Sequence, residues 1–82
     1  RESGDGRYDI QLKPTQKGLP GILIELKAEK NCSDEKLKKL SETALQQIND
    51  KKYETELTTA GVRTIYKYGV AFSGKKVEVA VG

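Results

Sequence analysis

Gly21-Ile22-Leu23-Ile24-Glu25-Leu26-Lys27 is the stretch that decides the fold. It is rich in β-branched residues and reads with period two. Ile22, Ile24 and Leu26 share one face, and Leu23, Glu25 and Lys27 share the other. Upstream, Arg7 to Lys13 alternates in the same way, with Tyr8, Ile10 and Leu12 set against Arg7, Asp9, Gln11 and Lys13. Between the two runs, Pro14, Gly18, Pro20 and Gly21 mark a loop. A loop this short makes the two strands an antiparallel hairpin.

Matching the apolar faces fixes the register of that hairpin: Leu12 opposite Ile22, Ile10 opposite Ile24, Tyr8 opposite Leu26. The same register sets Asp9 opposite Glu25. Cross-strand partners have Cβ atoms about 4.5–5.5 Å apart, so two carboxylates placed there repel. A divalent cation between them removes the repulsion. Mg²⁺ takes oxygen ligands and keeps several waters, which suits two carboxylates plus a backbone carbonyl such as that of Leu26. Lys27 lies two residues beyond Glu25 and points to the same side, where an ammonium can hold a water or neutralise a phosphate. Glu-X-Lys alone is a weak signal and is most often a solvated strand edge; Asp9 in the matching register is what raises it.

Downstream, Asn31 and Ser33 offer N-caps, and Asp34 and Glu35 suit the positive end of a helix. Leu37, Leu40, Ala44, Leu45 and Ile48 then recur at steps of three and four, predicting an amphipathic helix. Lys51 to Ala60 extends it or forms a second short helix with Tyr53 and Leu57 inward, and Gly61 is a stop signal. Ile65 to Phe72 is a third strand with Tyr66, Tyr68, Val70 and Phe72 on one side, a spacing that reads as core. Ser73-Gly74 marks a tight turn. Lys75 to Val81 is a fourth strand with Val77, Val79 and Val81 inward. The expected architecture is α/β in the α+β sense: a mixed four-stranded sheet in the order β-β-α-β-β, with a helix packed on one face.

The 82 residues allow one domain with a thin core. Apolar content of 35% against 33% charged, a start at Arg1 and the lack of any Met lead us to expect a piece of a longer protein. The net charge of +3 permits contact with a polyanion. With no His, most zinc sites, His-based triads and His general bases are excluded, whereas carboxylate–metal chemistry needs none. The single cysteine, Cys32, rules out an internal disulfide and fits a reducing, cytoplasmic setting. No apolar run approaches the roughly 18 residues of a membrane span. Lys30, Lys36, Lys38, Lys39, Lys51 and Lys52 flank or ride the helix, interspersed with Asp34, Glu35, Glu42 and Asp50. That mixture reads first as a solvated helix face and second as a phosphate-contacting one.

Four segments together resemble the PD-(D/E)XK nuclease superfamily. They are Glu2-Ser3-Gly4-Asp5-Gly6-Arg7-Tyr8-Asp9, Ile24-Glu25-Leu26-Lys27, Ala44-Leu45-Gln46-Gln47-Ile48 with Lys52-Tyr53, and Lys67-Tyr68-Gly69-Val70-Ala71-Phe72. More narrowly, they are similar to its branch at the C-terminal end of bacterial AAA-ATPase-like proteins. The resemblance implies a truncated restriction-endonuclease-like core over residues 1–82 that hydrolyses nucleic-acid phosphodiester bonds. Asp9 and Glu25, with the Leu26 carbonyl, would bind Mg²⁺ or Mn²⁺. Lys27 would be the catalytic lysine, and Gln47 the helix residue that approaches the site. Arg7, Lys30, Lys51 and Tyr53 would contact nucleic acid, most simply DNA. The implied partners are an N-terminal ATPase-like domain and, through an apolar face left by a missing helix, a second copy. The pattern departs from the superfamily in having no helix before the first strand, where Glu2 is the sole acidic candidate, and no proline before Asp9. The alternative function is a non-catalytic nucleic-acid-binding or assembly module that keeps the fold.

Overall fold

The computed structural model describes residues 7–12, 14, 18–50 and 53–82, with backbone alone at 7–9 and 50. The elements are β1 (Arg7–Leu12), β2 (Gly21–Ala28), α1 (Asp34–Asp50), α2 (Tyr53–Thr59), β3 (Ile65–Ser73) and β4 (Lys76–Val81). They form one mixed sheet in the order β1-β2-β3-β4. β1 and β2 pair antiparallel, β2 and β3 parallel, and β3 and β4 antiparallel. A parallel pair cannot be closed by a hairpin, so the α1–α2 segment serves as the crossover. The β1–β2 register is the one that the apolar faces dictate, including Asp9 against Glu25.

Local chemistry explains the helix ends. Ser33 Oγ accepts the Lys36 backbone N–H at 3.1 Å, and the Ser33 carbonyl accepts that of Leu37 at 2.9 Å, so Ser33 caps α1. Asn31, the other candidate cap, instead takes a left-handed φ of 58° in the preceding turn. The segment after α1 is a separate helix, α2. It ends in a Schellman arrangement: Val62 N–H donates to Leu57 O and Gly61 N–H to Thr58 O, both at 3.0 Å. Gly61 holds φ at 96°, which a side chain would resist.

The core lies between α1 and one face of the sheet. One cluster joins Leu23, Ile48 and Leu57, with Leu45, Tyr53, Val62 and Ile65 packed around it. A second joins Cys32, Leu37 and Ala71, with Leu40 beside them. The residues under α1 are therefore Leu23, Glu25, Gly69 and Ala71. This corrects the sequence reading of β3 and β4. Val77, Val79 and Val81, expected inward, are exposed at 54%, 50% and 69%, and Tyr66 and Phe72 at 46% and 39%. The reason is close approach. A Cβ on Gly69 would lie 2.2 Å from the Ser41 carbonyl oxygen and 2.4 Å from the Leu45 nitrogen. Only the face bearing small residues lets the helix backbone come that near, so bulk marks the face that the helix does not cover.

Candidate active site

Glu25 sits in the middle of β2 with no exposed surface. Its strand partners are Asp9 on β1 and Gly69 on β3. Gly69 contributes no side chain, and α1 closes directly over that position. The result is a carboxylate roofed by helix backbone on one side and paired with an aspartate on the other. Burial at this depth penalises a charged carboxylate unless cations or donors compensate it. Lys27 lies on the same face, half-buried, between Arg7 and Ala71 in the register. Leu26 is half-buried in a strand that is paired on both sides, which leaves the second lone pair of its carbonyl for an outside ligand.

Gln47 is half-buried on α1, and its Oε1 is buried without a hydrogen-bond partner. The Leu45 side chain lies against Gly82, at the end of β4, where an added Cβ would meet it at 3.0–3.3 Å. Two residues on, the helix has turned by about 200°. Gln47 therefore occupies the opposite flank, toward β2 and β1, where Glu25 and Asp9 are paired. An orphan acceptor on that flank is the kind of group that a hydrated cation satisfies through its waters. The donor chemistry, carboxylates with a neutral oxygen beside them, fits a hard divalent ion. Among the described residues there is no cluster of three or more His, Cys, Asp and Glu. Any such ion would thus rest on the Asp9–Glu25 pair.

The remaining site residues named from sequence divide by position. The Asp9 and Arg7 side chains and all of Lys51 and Glu2 lie outside the described residues. Lys30 is exposed in the turn after β2. Tyr53 packs against the Leu23, Ile48 and Leu57 cluster. Leu23 lies toward the start of β2 and Lys30 beyond its end, so Lys30 and Tyr53 do not form one patch.

Several surface lysines are already engaged. Lys36 Nζ meets Glu29 Oε2 at 2.6 Å. The Lys36 hydrogen bond and charge hold the Glu29 carboxyl below the usual range, and Glu29 in turn raises the Lys36 ammonium. Lys76 Nζ reaches Asp34 Oδ1 at 3.0 Å and donates to the Cys32 carbonyl at 3.2 Å. Lys67 Nζ bridges Asn49 Oδ1 at 3.1 Å and Glu54 Oε1 at 2.7 Å, tying β3 to both helices. A cleft of about 470 Å³ lined by Gly18, Leu19, Ala60, Gly61, Arg63 and Thr64 opens at the end of the sheet where β2 and β3 begin, away from Lys27. Arg63 there is a cation that sequence reading passed over, as it stands alone between Val62 and Thr64. Gly69 was also passed over as a site residue. Its signal was the alternation of Gly69 and Ala71 with Tyr68, Val70 and Phe72.

A family model described as the PD-(D/E)XK nuclease superfamily matches residues 1–81. The chain belongs to that superfamily, a nuclease-type family whose members generally use divalent metals and act on nucleic acid. Comparison with curated proteins and with solved structures returns no match. No described helix is long and apolar enough to cross a membrane.

Proposed function

We propose that this chain is a nuclease domain that hydrolyses nucleic-acid phosphodiester bonds with Mg²⁺ or Mn²⁺. The observation that carries the reading is the pairing of Asp9 with Glu25, with Lys27 on the same face of β2 as Glu25. Asp9 and Glu25 hold the ion, with the Leu26 carbonyl as a third oxygen donor. When bound, such an ion supplies Lewis acidity toward a phosphoryl oxygen and lowers the pKa of a water. The Lys27 ammonium orients the attacking water and offsets charge on the scissile phosphate. Gln47, with its free acceptor, fixes the hydration of the site from the helix side. Arg7, Lys30 and Lys51 steer the phosphate backbone, and each such contact weakens as salt rises. DNA is the simplest substrate. Residues 1–82 act as a single domain, a C-terminal part of a longer cytoplasmic bacterial protein beside an ATPase-like domain.

A second reading, a nucleic-acid-binding or assembly module without catalysis, is favoured by one observation: Glu25 is wholly enclosed under α1. Titration calorimetry with Mn²⁺ separates the two. Catalysis requires that the parent chain bind the ion and that Glu25→Ala bind none. A parent that takes up no Mn²⁺, or binding that survives in Glu25→Ala, contradicts the nuclease reading.

A further inference from the structure

The sheet face opposite α1 carries no charged residue at any described strand position, in a chain that is 33% charged. Tyr66, Phe72, Val77, Val79 and Val81 form its β3–β4 half, and Ile10 and Leu12 continue it on β1; all are exposed. We propose that this face is an interface between two copies of the chain, packed sheet to sheet about a two-fold axis. This does not depend on the nuclease reading.

Two observations select a second copy as the occupant. The first is area. The exposed fractions of those seven residues amount to roughly 600 Å² per copy, before half-buried Ile22, Ile24 and Leu26 are added, against about 800 Å² per partner in a standard interface. A contiguous apolar patch of this extent is more than a monomer ordinarily leaves in water. The second is charge. Copies that each carry +3 repel through their charged surfaces, and this face is where they can meet without opposing like charges. A two-fold contact uses the same patch on both partners, so one flat apolar surface is sufficient. Facing sheets pack about 10 Å apart, with strand directions within about 30°.

Sedimentation equilibrium across a wide concentration range tests the proposal. The parent is expected at twice the 9.1 kDa chain mass. Val79→Lys should bring it to the mass of one chain while the far-ultraviolet circular dichroism stays that of the parent. If Val79→Lys does not fold, Val81→Lys, at the most exposed of these positions, replaces it with the same expectation. Oxidative trapping adds a positional readout. Val79→Cys should give a disulfide-linked pair, whereas Glu35→Cys, exposed on α1, should not; native Cys32 is buried and stays out of the reaction. A parent that is monomeric throughout overturns the proposal and assigns the face to some other partner. So does a dimer indifferent to the lysine substitution, or equal trapping at positions 79 and 35.

Discussion

Glu25 and Gly69 are strand partners with opposite needs, one a carboxylate that must be compensated and one a gap that must stay empty. Because a Cβ at position 69 would run into Ser41 and Leu45 backbone rather than a movable side chain, Gly69→Ala has to push α1 off the sheet. Overpacking of this kind costs about 1–3 kcal/mol, and urea unfolding should show a loss at or above that range. The Glu29–Lys36 pair gives a pH prediction. The folded-state acid constant of Glu29 is depressed, so its contribution is present above the unfolded carboxylate range and is lost as pH falls through the folded value. Lys36 is raised, so its contribution is present below the ordinary lysine range and is lost as pH climbs through the folded value. Thermal midpoints of Glu29→Gln and parent should therefore converge in acid and differ most near neutrality. High salt should shrink the difference, since both groups are solvent-exposed.

The elements show what sequence makes legible and what it does not. β1 and β2 were readable down to register because two alternating apolar runs joined by a short Pro- and Gly-marked loop have one way to match. The helices were readable from their periodicity, and Gly61 from its place after the last inward residue. Which face of β3 receives α1 was not readable from bulk. Tyr66, Tyr68, Val70 and Phe72 look like core, yet a crossover helix whose backbone touches the strand needs Gly69 and Ala71 beneath it. Alternation reports that two faces differ, not which is covered. Of the site, the Asp9–Glu25–Lys27 constellation followed from register alone. The orphan acceptor on Gln47 did not, because it depends on which flank of α1 overhangs β2. Two predictions belong here. Ser33→Ala removes the α1 cap and should cost about 1 kcal/mol in denaturant titration. Leu57→Ala empties a fully buried position that links α2 to the sheet, and should cost about 2–5 kcal/mol.

At the scale of the molecule, one sheet serves two surfaces of contrasting chemistry. The face under α1 is sparing in bulk and carries the carboxylate, the lysine and the close helix. The other face is bulky, uncharged and open. Membership of the PD-(D/E)XK superfamily accounts for the first face; surface physics alone speaks for the second. The central claim is that the first face performs phosphodiester hydrolysis, and cleavage of supercoiled plasmid with Mg²⁺ or Mn²⁺ tests it most directly. The parent chain should nick or linearise the plasmid only when the ion is present, and Lys27→Ala, prepared identically and equally folded, should be inactive. A parent that leaves the plasmid intact with either ion, or a Lys27→Ala protein that cuts as fast as the parent, would contradict it.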